Sequence, residues 1–514
     1  MTTRHPNVLF IMADQLAARW LPIHGHALVK APNLERLANE GVVFDNAYTT
    51  SPLCAPARAT VMNGILPSRT GVYDNAAEFP SAIPTWAHYL RLEGYRTCLA
   101  GKMHFVGPDQ LHGLEERLTT DIYPADFGWT PDWRLKQDRI DWWYHNMTSV
   151  LQPGIAEITN QLEFDDEVAF LAIRKIYDYA RYDGDKPFCL MVSFTHPHDP
   201  YAARARFWNL YRDDEIDLPA VPALPFDRLD PHSQRLHGVA AIDEYQVTEA
   251  DLRAARHGYY ANISYVDDLI GQAISALEAT GHRDDTVIIF TSDHGDFLGE
   301  RGLWYKMSFL EPSSHVPLVI WAPRLFASRR VREPVSLADI LPTLVDIGTE
   351  GKKNLARPAD GRSLYPLLLG KTEAKDATIW GEYLGEGVVS PMYMIRRGAL
   401  KFIFTPTDPD QLFDVDADPN ELKNLAPAKP ELIRSLRREI EAKFDIERIT
   451  YEVLQSQQAR HMMFAALRRG EHFPWDFQPL RDASEQYTRN HMAVTERDAH
   501  SRYPPAPEIS DKRR

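Results

Sequence analysis

The 514-residue sequence has few cysteines, no long hydrophobic run and a deficit of positive charge. Its three cysteines, Cys54, Cys98 and Cys189, are too few for a disulfide framework, and an odd number leaves at least one free thiol. No stretch reaches the roughly 18 apolar residues that a membrane helix needs, and the apolar run 8–12 is too short for a signal peptide. We therefore expect a reduced, cytoplasmic protein with no membrane partner.

The balance of charged residues also restricts the classes of partner that the protein is expected to bind. Lys and Arg number 57 against 72 Asp and Glu, which gives a formal net charge of −15. This excess of acid argues against general nucleic-acid binding, although an anionic substrate needs only local positive charge. Hydrophobic residues make up 44% and charged residues 25%, which is the composition of a globular protein and excludes a disordered chain or a coiled coil.

Short apolar runs alternate with helical patterns over the first 345 residues. We predict buried strands at 8–12, 95–100, 188–194, 286–291 and 316–321, and helices at 33–40 and 265–280. Runs that are apolar on both faces suit a mostly parallel sheet between two layers of helices, so the predicted fold is a doubly wound α/β domain.

The pattern changes towards the C-terminus. Alternating apolar and polar residues at 392–396, 401–405 and 411–415 predict a small antiparallel sheet, and 430–449 reads as a charged helix. We divide the chain into an α/β domain over 1–375, a small subdomain over 376–450, and a helical or extended tail over 451–514. The length of the tail favours an arm between subunits.

Four of the predicted strands end in polar side chains. These side chains are Asp14 and Gln15 after the first strand, Lys102 and His104 after the second, His198 after the third, and Asp293 and His294 after the fourth. Each motif has a purely structural interpretation, such as a helix cap or a packed histidine. Together they indicate one shared site beyond the carboxyl ends of the strands.

Two features suggest the chemistry of that site. The oxygen atoms of Asp14, Gln15 and Asp293 favour Ca²⁺, Mg²⁺ or Mn²⁺ over zinc. Cys54 precedes a predicted helix over 56–63, where the positive end of the helix and Arg58 would stabilise an anion. Cys54 alone is compatible with a buried structural cysteine or with a thiolate nucleophile of low pKa.

The spacing Cys54-x-Pro56-x-Arg58 resembles the signature of the formylglycine-dependent sulfatases, which belong to the alkaline phosphatase superfamily. The resemblance implies a large mixed sheet sandwiched by helices and a smaller C-terminal subdomain. It also implies that Cys54 is oxidised to formylglycine by dedicated cellular machinery, beside one divalent cation, with Ca²⁺ expected ahead of Mn²⁺ or Mg²⁺.

The same resemblance assigns roles to the residues of the expected site. The implied metal ligands are Asp14, Gln15, residue 54, Asp293 and His294. The implied catalytic residues are Cys54, Arg58, Lys102, His104, His198 and Lys306. In this scheme the hydrated aldehyde attacks sulfur, Lys306 and His198 protonate the leaving alcohol, and His104 is the base that helps to release sulfate.

Seven aromatic residues crowd the segment 123–146: Tyr123, Phe127, Trp129, Trp133, Trp142, Trp143 and Tyr144. They predict either a packed insertion or an aromatic box for a quaternary ammonium ion. The motifs Asp126-Phe127-Gly128-Trp129 and Trp142-Trp143-Tyr144-His145-Asn146 resemble those of choline sulfatases. This resemblance implies choline O-sulfate as substrate and a choline pocket formed by Trp129, His145, Asn146 and Glu386. The resemblance also implies a homo-oligomer, a dimer or a tetramer.

Three alternatives remain open at this point. One is a phosphodiesterase or phosphonate monoester hydrolase on the same scaffold, another is a broader alkyl or aryl sulfatase, and the third is a non-catalytic binder of quaternary ammonium solutes. The tail also differs from that of choline sulfatases, in which acidic residues follow Arg-Asn-His-Met. Here Arg489-Asn490-His491-Met492 is followed by Ala493, and the nearest acids are Glu496 and Asp498.

Overall fold

The structure is a computed structural model that describes residues 5–135, 140, 145–184, 186–352, 354–371, 374, 377–471 and 475–479. Some of the residues singled out above lie outside these ranges. They are Trp142, Trp143, Tyr144 and the tail segment with Glu496 and Asp498. The division into domains over 1–375, 376–450 and 451–514 stays a prediction.

The described residues form 17 strands. They are β1 (Asn7–Ala13), β2 (Val42–Phe44), β3 (Ala47–Tyr48), β4 (Arg96–Gly101), β5 (Glu116–Arg117), β6 (Gly154–Ile155), β7 (Phe188–Ser193), β8 (Ala202–Ala203), β9 (Thr286–Ser292), β10 (His315–Val316), β11 (Leu318–Trp321), β12 (Arg329–Val331), β13 (Val335–Ser336), β14 (Thr378–Tyr383), β15 (Met392–Arg397), β16 (Leu400–Phe404) and β17 (Gln411–Asp414).

The same ranges contain 14 α-helices. They are α1 (Pro32–Glu40), α2 (Cys54–Asn63), α3 (Pro67–Thr70), α4 (Trp86–Leu92), α5 (Thr148–Leu151), α6 (Asn160–Asp178), α7 (Ala205–Trp208), α8 (Pro231–Val239), α9 (Glu249–Ala279), α10 (Glu311–Ser314), α11 (Ile340–Thr349), α12 (Tyr365–Leu368), α13 (Pro430–Lys443) and α14 (Ile446–Leu467). Across the described helices, none combines the length and the apolar character that crossing a membrane requires.

An eight-stranded mixed sheet forms the centre of the molecule, in the order β12-β2-β11-β9-β1-β7-β4-β5. The four neighbours β9, β1, β7 and β4 run parallel, whereas β11 pairs antiparallel with both β2 and β9. Alternate residues of β1 enter two different hydrophobic clusters: Leu9 and Ile11 face one side of the sheet, and Val8 and Phe10 face the other. This two-sided burial explains why the strand is apolar along its whole length.

Helices cover both faces of this sheet. Buried side chains of α6 and α9, such as Leu162 and Tyr259, belong to the cluster that contains Leu9. Buried side chains of α2, α4 and α11, such as Met62, Trp86 and Leu344, belong to the cluster that contains Val8. The three-layer arrangement agrees with the fold expected from the apolar runs.

The largest differences between the observed elements and their predicted limits occur in three places. The run 316–321 is divided between β10 and β11, and the helix predicted at 265–280 begins earlier, as the 31-residue α9. The helix predicted over 430–449 ends at Lys443, and α14 begins at Ile446, where the Asp445 side chain accepts a hydrogen bond from the Arg448 amide. The C-terminal sheet is antiparallel as predicted, and it gains β14 at one edge.

A substitution at Gly101, at the end of β4, can test how closely the central strands β4 and β7 are packed. The φ of Gly101 is 110°, and a Cβ atom there would overlap the carbonyl oxygen of Ser193 on β7. Gly94 also has a positive φ, 85°, but has open space around it. We expect Gly94→Ala to destabilise the fold by about 1–2 kcal/mol through backbone strain. Gly101→Ala should cost about 1–3 kcal/mol more, because the strands must separate.

The measurement is thermal unfolding of both variants beside the parent protein. Gly94→Ala is the matched control, because it shares the positive φ but not the overlap. Equal losses in Tm would contradict close packing of β4 on β7.

Candidate active site

The carboxyl ends of four parallel strands meet at one edge of the central sheet. Asp293, Asp14 and Lys102 directly follow β9, β1 and β4, and His198 lies five residues beyond the end of β7. All four side chains are buried. The structure thus brings together the strand ends that the sequence predicted would share a site.

Cys54 is the first residue of α2 and lies among these side chains. Its Sγ is 3.2 Å from Nε2 of His294, 3.7 Å from Nζ of Lys102 and 3.9 Å from Oδ1 of Asp14. The next residue, Ala55, donates its amide to Oδ1 of Asn75 at 3.0 Å. The N-terminus of α2 therefore presents residue 54 to the charged groups of the four strands.

The surroundings of Cys54 do not favour a thiolate. Burial, followed by the charge of Asp14, raises the pKa of the thiol to about 11, and Lys102 only partly opposes this. This direction of the shift argues against a thiolate with a low pKa and favours a nucleophile of a different chemical kind at this position.

Four side chains form a cluster that fits a metal ion. Ligand atoms of Asp14, Cys54, Asp293 and His294 all lie within 4.8 Å of one another. Burial alone would raise the pKa of Asp14, but Lys102 and Arg58 outweigh it and hold that pKa well below its ordinary value. Burial, partly opposed by Asp293, lowers the pKa of His294 to about 4, so its imidazole is neutral. Ionised carboxylates beside a neutral imidazole are suitable ligands for a divalent cation.

Arg58 connects this cluster to the strands. Its Nε donates to Oδ2 of Asp293 at 2.8 Å, and its Nη1 donates to the Lys102 carbonyl at 2.7 Å and to Oγ of Ser193 at 2.8 Å. Its Nη2 lies 3.3 Å from Oδ2 of Asp14, a carboxylate that Lys102 also contacts. The guanidinium is fully buried, so its position is set by these partners.

Gln15 lies beside the cluster, but its side-chain oxygen faces another group. That oxygen accepts a hydrogen bond from Nζ of Lys306 at 2.6 Å. Its Nε2 donates to Asp296 at 2.8 Å and to Asp199 at 3.2 Å, and its backbone amide donates to Asp293 at 3.1 Å. The role of Gln15 as a metal ligand stays a prediction.

Lys306 and His198 form a pair suited to proton transfer. Nζ of Lys306 is 3.0 Å from Nε2 of His198, while Nδ1 of His198 is 2.8 Å from the carbonyl of Asp199, to which it can donate. Burial and then Lys306 lower the pKa of His198, which keeps its imidazole neutral. Burial opposes the charge on Lys306, but surrounding anionic groups, Asp14 among them, outweigh burial and raise its pKa. Lys306 therefore carries the proton of this pair.

His104 has the character of a free base. It is buried, and both ring nitrogens lack a hydrogen-bond partner among the residues that the structure describes. Burial and then Lys102 lower its pKa to about 3. Its ring lies 5.4 Å from that of Tyr123 and 5.5 Å from that of Trp129, measured between centroids. A neutral imidazole in this place is able to accept a proton from a bound group.

The residues expected to bind choline lie on neighbouring segments. Nδ1 of His145 is 3.5 Å from Oε1 of Glu386, and both side chains are nearly inaccessible to solvent. The Asn146 carbonyl accepts a hydrogen bond from the Tyr305 hydroxyl at 2.6 Å, next to Lys306 in the chain. Burial and then Lys306 lower the pKa of His145. An acid and a neutral histidine therefore lie side by side at this end of the site.

The structure adds a residue to the site that sequence reasoning counted only as part of the aromatic segment. The Tyr123 ring lies 4.1 Å from Nζ of Lys102 and 5.1 Å from the ring of Trp129. Asp121 holds this segment in place, because its carboxylate accepts the amides of Met103 and His104, both at 2.9 Å. An acid two residues before an aromatic residue is too common a pattern to have identified Tyr123 from the sequence.

Comparison with known sequences gives matches over most of the chain. The family model described as sulfatase matches residues 6–349, that for the C-terminus of choline sulfatase matches 451–503, and that for the C-terminus of N-sulphoglucosamine sulphohydrolase matches 299–445. The sequence is 51% identical to the choline-sulfatase of Rhizobium meliloti (strain 1021), over 98% of this chain and 99% of that protein. It is 30% identical to arylsulfatase K of Gallus gallus, over 84% of this chain and 81% of that protein.

Solved structures show the same architecture. The phosphonate monoester hydrolase of Agrobacterium radiobacter matches with a TM-score of 0.66 and 26% identity, over 93% of this chain and 100% of that one. BT1596, a 2-O GAG sulfatase, matches with a TM-score of 0.64 and 22% identity, over 87% and 92% of the two chains. With the observed sheet order, these matches confirm the predicted alkaline-phosphatase-like fold with its antiparallel C-terminal sheet.

The cluster of Asp14, Cys54, Asp293 and His294 leads to a testable prediction about metal binding. A divalent cation that binds only the folded state should raise Tm relative to protein in EDTA, because binding adds to the free energy of unfolding. Asp293→Asn removes one negative charge and one ligand oxygen, so most of this rise should disappear. The measurement is thermal unfolding with EDTA, Ca²⁺, Mn²⁺ or Mg²⁺.

The control for this test is Asp339→Asn. Asp339 is also buried, but its carboxylate accepts amides of Ser336 and Arg362 and takes no part in the cluster. Its substitution should lower Tm equally with and without the cation. An unchanged cation effect in Asp293→Asn would contradict the metal site.

Proposed function

This protein belongs to the sulfatase family and hydrolyses sulfate esters, and we propose that its substrate is choline O-sulfate, which it converts to choline and sulfate. The observation that carries the choice of substrate is the likeness to the Rhizobium meliloti choline-sulfatase, which extends along the whole chain and includes the C-terminal segment. The candidate site supports it, because cationic side chains lie around residue 54, and because the aromatic segment contacts the backbone beside Glu386, where Trp133 donates to the Gly385 carbonyl at 2.8 Å.

The cationic end fits the sulfate group. Arg58, Lys102 and Lys306 place three positive charges around residue 54 and would stabilise a sulfuryl group with its developing negative charge. We propose that Asp14, residue 54, Asp293 and His294 hold a Ca²⁺ ion, with Gln15 as a further ligand and Mn²⁺ or Mg²⁺ as alternatives. Oxidation of Cys54 would exchange its sulfur for oxygen, the ligand atom that Ca²⁺ prefers.

We propose that cellular machinery converts Cys54 to formylglycine, whose hydrated aldehyde supplies the nucleophile for sulfur. The other residues then handle protons. Lys306, which carries its proton 3.0 Å from His198, protonates the leaving choline oxygen, an unactivated alkoxide that departs poorly without a proton. His104 is neutral and has no hydrogen-bond partner among the described residues. It accepts the proton of the second hydroxyl of the hydrated aldehyde when sulfate is released.

The other end of the site fits a quaternary ammonium ion. Such an ion carries no N–H group, so a protein binds it through aromatic faces and nearby negative charge. We propose that Trp129 provides the aromatic face and Glu386 the charge, with His145 and Asn146 completing the pocket. The Tyr123 ring between Lys102 and Trp129 would separate the ammonium of the substrate from that of the lysine.

A second candidate function is phosphonate monoester or phosphodiester hydrolysis. The match to the Agrobacterium radiobacter phosphonate monoester hydrolase supports it, because that enzyme shares the fold over its whole length. A broader alkyl or aryl sulfatase is a third candidate. Comparing kcat/KM for choline O-sulfate, an aryl sulfate and a phosphonate monoester separates all three.

The cellular setting completes the proposal. We propose a cytoplasmic homo-oligomer, a dimer or a tetramer, whose partners are the sulfate ester and the formylglycine-generating machinery.

Cys54→Ala tests the nucleophile. Turnover of choline O-sulfate should fall to background, because alanine offers no group to attack sulfur, whereas choline affinity should stay within about twofold, since the cation end is untouched. Activity assays with calorimetric titration of choline measure the two effects. Mass spectrometry of the residue 54 peptide of the parent protein must show formylglycine. Retained turnover in Cys54→Ala would contradict the assignment.

Trp129→Ala tests the cation end. Loss of one cation–π contact, worth about 0.5–2 kcal/mol, should raise KM for choline O-sulfate about 2- to 30-fold. KM for an aryl sulfate, which has no ammonium group, should change little. Phe170→Ala is the control, because Phe170 is an exposed aromatic residue on α6. Equal effects on both substrates would rule out an aromatic cation site at Trp129.

A further inference from the structure

One face of α14 packs against the segment that carries Trp129. The contacting residues are Gln457, Arg460, His461 and Phe464, and their spacing of three, four and seven places them in one stripe along the helix. They contact the chain between Gly128 and Trp133. The helix therefore packs directly on the loop that carries Trp129.

Three of these contacts hold the backbone of the loop. Oε1 of Gln457 accepts the amide of Trp133 at 3.0 Å, and Nε2 of His461 is 3.2 Å from the carbonyl of Pro131. Phe464 packs so closely on Gly128 that a Cβ atom at that glycine would lie 3.0 Å from its ring. Both ends of the short segment around Trp129 are therefore held by one helix.

Arg460 makes the strongest contact of the stripe. Its Nη1 and Nη2 donate to the two carboxylate oxygens of Asp74 at 2.6 and 2.7 Å, and Nη1 also lies 3.2 Å from Oγ1 of Thr130. The Arg460 side chain is 4% exposed and that of Asp74 is 0% exposed. Two parallel hydrogen bonds between buried charges fix both the distance and the angle between α14 and Asp74.

Asp74 links Arg460 to the loop around Trp129 and to the backbone beside residue 54. Its Oδ1 accepts the amide of Ala76, and Ala76 packs against the Trp129 ring. Its neighbour Asn75 accepts the amide of Ala55, next to the nucleophile position. Arg460 thus contacts the Trp129 loop directly through Thr130, and it also supports Trp129 through Asp74 and Ala76.

We propose that α14 sets the cation end of the substrate site within its own chain, and that Arg460 is the positioning residue through which it acts. This inference rests on the proposed function and deepens it. Arg460 does not touch the substrate; it holds the Trp129 ring where a quaternary ammonium group would bind. The catalytic side chains on the strand ends take their hydrogen bonds from partners outside α14, and the helix reaches the backbone beside residue 54 only indirectly, through Asp74 and Asn75.

Arg460→Lys is the sharpest test. Lysine keeps the charge opposite Asp74 but lacks the planar fork, so the loop should stay attached while losing its fixed geometry. KM for choline O-sulfate should rise, by no more than the 2- to 30-fold expected for Trp129→Ala. The kinetic constants for an aryl sulfate should stay within about twofold, because that substrate makes no use of the pocket.

A double-mutant cycle distinguishes positioning from general damage. If Arg460 acts through Trp129, adding Arg460→Lys to Trp129→Ala should raise KM no further, whereas independent effects would multiply. The control is Arg448→Ala on the same helix. Arg448 is 54% exposed and pairs with Glu452, so its removal should leave the kinetic constants for both substrates unchanged. Multiplying effects, or equal changes for both substrates, would overturn the inference.

Hydrogen exchange gives a result that does not depend on the substrate. Amides of the segment 128–133 should exchange faster in Arg460→Lys and in Arg460→Met than in the parent protein, while those of β1 should not change. Unchanged exchange at 128–133 would overturn the inference even if choline O-sulfate is the substrate. Faster exchange in a protein that does not hydrolyse choline O-sulfate would support the docking and refute the proposed function.

Discussion

The guanidinium group of Arg58 is the point on which the site depends. It contacts the residues at the ends of four adjacent strands: Asp293 after β9, Asp14 after β1, Ser193 at the end of β7 and Lys102 after β4. All of these partners are removed from water, so any displacement of Arg58 would leave buried charges without compensation. Ionic contacts therefore hold the sheet and α2, the helix that begins at residue 54, in a fixed position relative to one another.

This constraint explains how so many ionic groups coexist in the interior. Two carboxylates, Asp14 and Asp293, lie between two cations, Arg58 and Lys102, so that each charge has a partner of the opposite sign. Lys102 and Arg58 hold the pKa of Asp14 well below its ordinary value, which keeps this carboxylate available as a ligand for a divalent ion. Because Lys306 stays protonated beside a neutral His198, the same pocket also holds an acid.

The two ends of the candidate site are built in different ways. The residues expected to bind sulfate follow the parallel strands of the central sheet, where pairing of the strand backbones sets the positions of the side chains. The cation end stands on loops, which need support from elsewhere in the chain. The buried pair of Arg460 and Asp74 supplies that support from α14, nearly 400 residues away from the acid in sequence. A common chemical centre can then serve different substrates as the supporting helix changes.

Much of this organisation is visible in the sequence. Runs that are apolar on both faces identify buried parallel strands, and polar residues at their ends must meet because parallel strands end at the same edge. Asp14, Lys102, His198 and Asp293 could therefore be grouped without a structure, and Cys54-x-Pro56-x-Arg58 placed the nucleophile position beside them. Strand β14 and the start of α9 were harder to predict, because local patterns do not show which segments find partners across the sheet or the core.

The sequence by itself indicated the chemistry, since residue types and their positions after apolar strands specify a charged site, and the spacing Cys54-x-Pro56-x-Arg58 resembles the sulfatase signature. Only the tertiary structure decided which groups share hydrogen bonds. It turned the Gln15 oxygen towards Lys306, left His104 without a hydrogen-bond partner among the described residues, and placed Arg460 against Asp74. These contacts join segments far apart in the chain, and their geometry follows from packing and from the need to neutralise buried charge, which no local pattern encodes.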